Sequence, residues 1–286
     1  MQIEQRVAVV TGAASGIGRS LCLAFADQGA AAVVVCDLDG GGAAQLAATI
    51  QARGQRALAV TADMANPADV AALVARARDA FGRIDIFCSN AGIIVGGGVE
   101  LDDEAWSRMW AVNVQSHVYA VRAVLPEMLA RGEGYLVFTA SAAGLLTQLG
   151  SAPYAVTKHA LVALAEWLSI THGDQGIGVS CLCPQAVSTN LLATSRRQVG
   201  DGAQAGSSAS ESAQAGSTAS GSAQAAVDGV LTPDQVAACV IEAIADERFL
   251  ILPHPEVATY ERRRADDRER WLSGMRRLQA RLSAER

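Results

Sequence analysis

Two side chains able to move a proton, Tyr154 and Lys158, stand at i and i+4 in an apolar, helix-forming stretch, so a helix carries them on one face. A phenol, with an ordinary pKa of about 10, is a poor base at neutral pH, but a nearby ammonium and any further positive charge favour the phenolate. Lys158 is also the sole lysine among the chain's 23 basic residues. In a composition that otherwise uses arginine, the place that keeps lysine is one where a compact ammonium on a flexible stem does what a planar guanidinium cannot. Ser141 closes a strand-like run at 135–140, where its hydroxyl is expected to bond a substrate oxygen while the adjacent carbon reacts.

A second group of residues is suited to binding. TGAASGIG, Thr11 to Gly18, follows an apolar run and opens a helix. Glycines at Gly12, Gly16 and Gly18 let the backbone turn tightly, approach a pyrophosphate and pack the helix on the sheet, while the helix N-terminus supplies N–H groups and positive potential. With Ser15 and Ile17 they form the expected phosphate cradle. Asp37 ends the next strand-like run, at the distance where an acid accepts hydrogen bonds from the adenosine ribose. A carboxylate there repels a 2′-phosphate, and neither Ala13, Ala14 nor Leu38 offers a cation to hold one. The expected cofactor is therefore NAD rather than NADP.

Such residues need a scaffold that brings them to one edge. Apolar, β-branched runs at 6–11, 32–37, 57–62, 84–89, 135–140, 178–183 and 249–252 alternate with helical stretches at 16–28, 40–53, 67–81, 102–131, 152–171 and 232–246. Strand followed by helix, with continuous rather than alternating hydrophobicity, predicts a parallel sheet covered on both faces. The fold class is a doubly wound, Rossmann-type α/β domain of seven parallel strands, spanning 1–254. Residues 198–230 interrupt it with a repeating Ala, Ser, Gly and Gln segment, expected to be a flexible insert in the substrate-lid region, either a passive excursion or a mobile lid. A helical extension at 255–286 carries Trp271, Leu272, Met275, Leu278 and Leu282 at helical spacing. That stripe packs either on the parent domain or on a partner subunit.

Taken together, Thr11 to Gly18, the NAG of Asn90 to Gly92, Asn113, Ser141 and Tyr154xxxLys158 resemble the short-chain dehydrogenase/reductase family, over residues 5–195 and more loosely 231–253. The resemblance implies hydride transfer between a nicotinamide dinucleotide and an alcohol or ketone carbon, with Tyr154 as general acid/base and Asn113 holding a water that links Lys158 to solvent. It also implies that Asp63 meets the adenine, Asn90 and Gly92 the adenosine side, and Val187 and Thr189 the nicotinamide carboxamide. The segment Pro184 to Thr189 departs from the family pattern, because the usual glycine after the proline is Gln185, a side chain expected to reach the substrate pocket or the nicotinamide. Family members are commonly dimers or tetramers that bury their two long helices, so Trp106, Trp110 and Trp167 belong either to an interface or to the core.

Composition narrows the remaining classes. Net charge is −6, which gives no attraction to nucleic acid. No apolar run approaches the roughly 18 to 20 residues a membrane span needs, and residues 1–5 carry no basic segment leading into one, so a cytoplasmic location is expected. Six cysteines form no CxxC pair and are expected as reduced core residues. His117, His159, His172 and His254 have no metal-ligand spacing and are expected to be surface or structural. Apolar candidates for the pocket wall (Ile93, Ile94, Val95, Leu145, Leu146, Leu149, Leu191 and Leu192) point to an uncharged, hydrophobic secondary alcohol or its ketone. The alternative is a dinucleotide-binding scaffold or sensor that keeps the fold without turnover; YxxxK spacing argues against an enoyl reductase.

Overall fold

The computed structural model describes residues 1–191 and 226–284. Its strands are β1 (Val7–Thr11), β2 (Ala32–Asp37), β3 (Ala57–Thr61), β4 (Ile86–Ser89), β5 (Gly134–Thr139), β6 (Ile177–Leu182) and β7 (Leu250–Ile251). All pair in parallel in the order β3-β2-β1-β4-β5-β6-β7. The helices are α1 (Gly16–Asp27), α2 (Gly40–Ala52), α3 (Pro67–Phe81), α4 (Asp103–Trp110), α5 (Ser116–Arg131), α6 (Ala152–His172), α7 (Pro233–Ala245), α8 (Glu256–Asp266) and α9 (Arg268–Ala284). The chain leaves β1 in one direction along the sheet and returns to its other side with β4, so the carboxyl ends of β1 and β4 flank the crevice where such sheets hold ligands.

Burial on both faces explains the unbroken apolar strands. Val9 and Val34 face a core built with Leu73 of α3, Val124 of α5 and Leu161 of α6. Ala8, Val10 and Val35 face the opposite core, with Leu21 of α1, Ile50 of α2 and Val240 of α7. Truncating a fully buried leucine such as Leu73 or Leu161 to alanine costs about 2 to 5 kcal/mol. A third, smaller cluster of Ile93, Met109, Val112, Ala143 and Tyr154 lies beneath the site and joins the scaffold to the chemistry.

Two helical expectations hold and gain detail. The stretch at 102–131 is helical but not uniform: between α4 and α5 the backbone widens into a π-helical turn, Ala111–Gln115. This turn carries Asn113 at its centre, the kind of local bulge that re-aims a functional side chain. The tail at 255–286 is likewise broken, at Asp267, whose extended backbone ends α8 and lets α9 set off in a new direction. Most of the repeat at 198–230 lies outside the described residues. The segments flanking it are nevertheless joined, since Ser188 N–H donates to the Leu231 carbonyl at 2.9 Å and Leu231 N–H to the Ala186 carbonyl at 3.1 Å. Among the described residues no helix is long and apolar enough to cross a membrane.

Candidate active site

The glycine turn is shaped by close approach. Gly12 has φ +64°, and a Cβ on it would sit 2.9 Å from Ala91 Cα; a Cβ on Gly18 would lie 2.1 Å from the Gly12 carbonyl oxygen. Only glycines allow α1 to start this close to β1 and β4. Gly16 also has positive φ, and Thr189 from the segment after β6 lies directly over it, its Cγ2 3.0 Å from where a Cβ would stand. Helices α2, α3, α4, α6 and α7 each have a side-chain N-cap, from Asp39, Asn66, Asp102, Ser151 and Thr232. Ser15 caps α1 without a side-chain bond, and the first turn of α1 has no acidic residue. Its free N–H groups open into the cavity beside Ser15, Gly16 and Ile17, which is the donor set a pyrophosphate needs.

Asp37 is oriented by the same turn. Its Oδ2 accepts from Ala14 N–H at 2.8 Å and its Oδ1 from Asp39 N–H at 2.9 Å, so the carboxylate is fixed at the rim of the cavity with lone pairs to spare. Asp63 also lines the cavity, although its carboxylate already serves Ala65 N–H and Arg108. Asn90 works as a stitch across three strands: Nδ2 donates to the Thr11 and Gly12 carbonyls, and Oδ1 accepts from the Thr139 hydroxyl at 3.0 Å. Thr11, not singled out in the sequence, completes this stitch by accepting from the N–H groups of Asn90 and Ala91.

Tyr154 and Lys158 come from the first turns of α6, both buried. Lys158 Nζ donates to the Thr139 carbonyl at 2.8 Å and lies 5.6 Å from the Tyr154 ring centre. Gly144 lets the turn after β5 cross α6, since a Cβ there would meet the Lys158 carbonyl oxygen at 2.5 Å. That crossing brings Ser141 to Tyr154. Burial pushes the Tyr154 phenol up to about 12, with a smaller opposing pull from the Ser141 hydroxyl. Burial likewise pushes the Lys158 ammonium down to about 8. In the chain itself, desolvation of the phenol outweighs the acidifying effect expected of the ammonium.

Asn113 acts on the backbone. Its Oδ1 accepts from Ile93 N–H at 2.8 Å, while Nδ2 donates to the Ile93 carbonyl at 2.9 Å and to the Thr157 hydroxyl at 3.2 Å. It thereby fastens the segment after β4 to α6. A Cβ on Gly92 would sit 3.3 Å from Asn113 Oδ1 and 3.4 Å from Lys158 Nζ, which places all three residues in one crowded corner.

A cavity of about 920 Å³ runs from Gly12, Asp37 and Asp63 past Gly92, Ser141, Tyr154 and Lys158 to Pro184, Gln185, Val187 and Thr189. Asn113 and Gly18 lie behind its wall rather than on it. Of the apolar wall expected from sequence, Ile94, Leu146, Leu149 and Leu191 line it. Ile93 and Leu145 are instead buried in the core, Val95 packs against the cluster under Tyr154, and Leu192 lies outside the described residues. The far end is closed by Tyr260 of α8 and by Trp271, Met275 and Leu278 of α9; Trp271 packs against the core, while Leu272 of the same stripe remains exposed. Arg263 and Arg281 also reach the lining, so the wall is not purely uncharged. The amphipathic stripe showed that the tail needed cover, but only the tertiary path shows that three of its residues face this pocket.

The histidines divide. His117 and His254 are fully buried, and His159 Nδ1 lies 2.8 Å from the Ala155 carbonyl oxygen. His172 stacks edge-on against Trp167, whose other surfaces, like part of Trp110, remain exposed rather than in the core. Cysteines Cys22, Cys36, Cys88, Cys181, Cys183 and Cys239 are all free thiols.

This arrangement has close counterparts. The short chain dehydrogenase family matches residues 6–200. A 1-deoxy-11-beta-hydroxypentalenate dehydrogenase of Streptomyces exfoliatus is 35% identical over 277 residues, covering 96% of this chain and 92% of the relative. A cyclohexanol dehydrogenase of an Acinetobacter species is 36% identical over 194 residues, 67% of this chain and 77% of its own length. Among solved structures, a short chain dehydrogenase/reductase from Burkholderia phymatum in complex with NAD superposes with a TM-score of 0.86 at 34% identity, covering 94% of this chain and 96% of that one. A glycine turn at the β1–β4 crevice, a Tyr–Lys pair under the cavity floor and kinship along nearly the whole chain lead to one assignment: the protein belongs to the short-chain dehydrogenase family of oxidoreductases.

Proposed function

We propose that the chain is an NAD-dependent dehydrogenase that interconverts a hydrophobic secondary alcohol and its ketone. One observation carries the reading: Ser141, Tyr154 and Lys158 meet at one wall of a cavity whose other end holds the α1 N-terminus and Asp37. A bound nicotinamide dinucleotide would supply the hydride acceptor and, when oxidised, a positive charge close to the phenol.

The residues divide the remaining work. Ser141 holds the substrate oxygen, and Tyr154 exchanges a proton with it, giving the proton in reduction and taking it in oxidation. The phenol is neutral in the chain alone, so it is ready to act as acid; oxidation requires the added positive charge to offset burial. Lys158 bonds the nicotinamide ribose and keeps positive potential beneath the phenol, while Asn113 holds Ile93 and, through a water, connects Lys158 to solvent. Gly12, Ser15, Gly16 and Ile17 receive the pyrophosphate, with Gly18 allowing the turn, and Asp37 takes the adenosine ribose and disfavours a 2′-phosphate. Asp63, Asn90 and Gly92 shape the adenosine side, and Pro184, Val187 and Thr189 the nicotinamide side.

The apolar lining of the substrate half, and relatives named for hydroxypentalenate and cyclohexanol, support a cyclic or otherwise bulky secondary alcohol. An acidic substituent remote from the carbinol would meet Arg263 and Arg281. Exposed Trp167 and Ile170 on α6 support assembly as a homodimer or homotetramer. The test is a spectrophotometric panel of hydrophobic alcohols and ketones with NAD and NADP. Turnover of a secondary alcohol with NAD supports the reading; NADH binding without turnover of any alcohol or ketone replaces it with a dinucleotide sensor.

A further inference from the structure

The tail lies over the protein's own cavity, and its attachment there is specific. Asp228 accepts two hydrogen bonds, from Gln185 Nε2 at 2.9 Å and from the Tyr260 hydroxyl at 2.9 Å. One carboxylate therefore joins three parts of the chain distant in sequence: the turn after β6, the segment entering α7, and α8. All three residues line the cavity. Gln185 is further held by its backbone N–H, which donates to Nδ1 of the buried His254 at 3.2 Å. On its other side α8 is pinned by Arg264, which donates to the Leu145 carbonyl and lies 3.4 Å from His159 Nε2.

Beyond this anchorage α9 is unusual for a packed helix. None of its residues is fully buried, although Trp271, Met275 and Leu278 line the cavity. An apolar face held over a cavity yet only half covered has room for a ligand to complete its burial, and burying such surface is favourable in proportion to area. The apolar face therefore suits the part of a substrate farthest from its carbinol.

We infer that Gln185, Asp228 and Tyr260 form a tie that fixes α8 and α9 as the far wall of the substrate pocket, so that the chain selects secondary alcohols carrying a bulky apolar body. The kinetic half of this inference rests on the dehydrogenase reading above. The tie itself does not. Gln185 and Tyr260 are positioning residues, acting on the substrate through the wall they hold.

Two measurements on Gln185→Leu and Tyr260→Phe in the full-length protein separate the parts. Backbone hydrogen exchange over residues 256–284 is expected to quicken at least tenfold in each variant; unaltered exchange in both overturns the tie. Steady-state kinetics then compare cyclohexanol with trans-4-phenylcyclohexanol, which share a carbinol and differ in the distal ring. Wild type is expected to show at least a tenfold lower KM for the phenyl compound, and both variants to lose that preference, with kcat for cyclohexanol changing less than threefold in Tyr260→Phe. Equal KM values in wild type, or a preference that survives loosened exchange, overturn the pocket wall. If neither alcohol reacts while exchange responds as expected, the tie is upheld and the wall is overturned for cyclohexanols, while the dehydrogenase reading stands or falls on the wider panel of alcohols and ketones.

Discussion

Lys158 Nζ stands 5.6 Å from the centre of the Tyr154 ring and gives its hydrogen bond to the Thr139 carbonyl rather than to the phenol. The pair shares a buried corner without a hydrogen bond between the ammonium and the neutral phenol. Burial holds the phenol protonated, at about 12, and brings the ammonium down to about 8. Gly92 and Asn113 border the same corner, and a planar guanidinium would present its donors there in a different geometry from Nζ. Lys158→Arg is therefore expected to lower kcat by at least about 10²-fold while NADH affinity falls less than tenfold. Steady-state kinetics with a fluorescence titration checks this, and near-normal turnover would mean that only the charge matters.

Asp37 is proposed to make a separate contribution, to cofactor choice. Because Ala14 N–H and Asp39 N–H fix its carboxylate at the cavity rim, Asp37→Ala removes the proposed ribose acceptor and repulsive charge together. The NAD/NADP ratio of kcat/KM is expected to fall at least tenfold, mainly through KM. An unchanged ratio would refute the electrostatic basis of selectivity.

His117 gives the fold an acid-sensitive point. It is fully buried, neither ring nitrogen has a partner among the described residues, and burial, helped by the Lys158 charge, pushes its pKa down to about 3. The folded value lies below the unfolded one of about 6.5, so the unfolded state binds the extra proton. Stability is then intact above about pH 6.5 and is lost as pH falls toward 3, by about 1.4 kcal/mol per unit crossed. Thermal melts of His117→Leu at pH 7 and pH 5 are expected to differ less than those of wild type. Equal differences would show that the imidazole is paired in solution.

On the outside of α6, Trp167 is 56% exposed and Ile170 85%. Large apolar side chains so placed on a helix that family members bury between subunits are expected to be covered in solution. Trp167→Glu is expected to shift the molar mass by light scattering from dimer or tetramer toward monomer. A wild-type protein already monomeric at micromolar concentration would contradict this.

The fold was legible wherever local and global signals agree. Strands buried on both faces read as continuous apolar runs, and helices such as α3 and α7 announce themselves by an N-cap and a proline in the first turn. The positions of Tyr154, Lys158, Ser141 and the glycine turn followed because each lies at the end of an element or on one helix face. What sequence did not reveal depends on the tertiary path. The π-helical turn at Asn113 has no periodicity signature of its own. The union of Gln185, Asp228 and Tyr260 spans residues with no sequence relation, and the stripe of α9 told only that cover was needed. The phenol's raised pKa was missed for a similar reason, since burial cannot be weighed against a neighbouring charge before the depth of both is known.

The proton-transfer role proposed for Tyr154 is tested most directly by Tyr154→Phe, which removes one oxygen and keeps the packing of the ring. Turnover of a secondary alcohol that wild type oxidises with NAD is expected to fall by roughly 10² to 10⁴ or more, with the NADH Kd within about threefold of wild type. Turnover within tenfold of wild type would contradict the account, because the phenolic oxygen would then have no part in moving the proton.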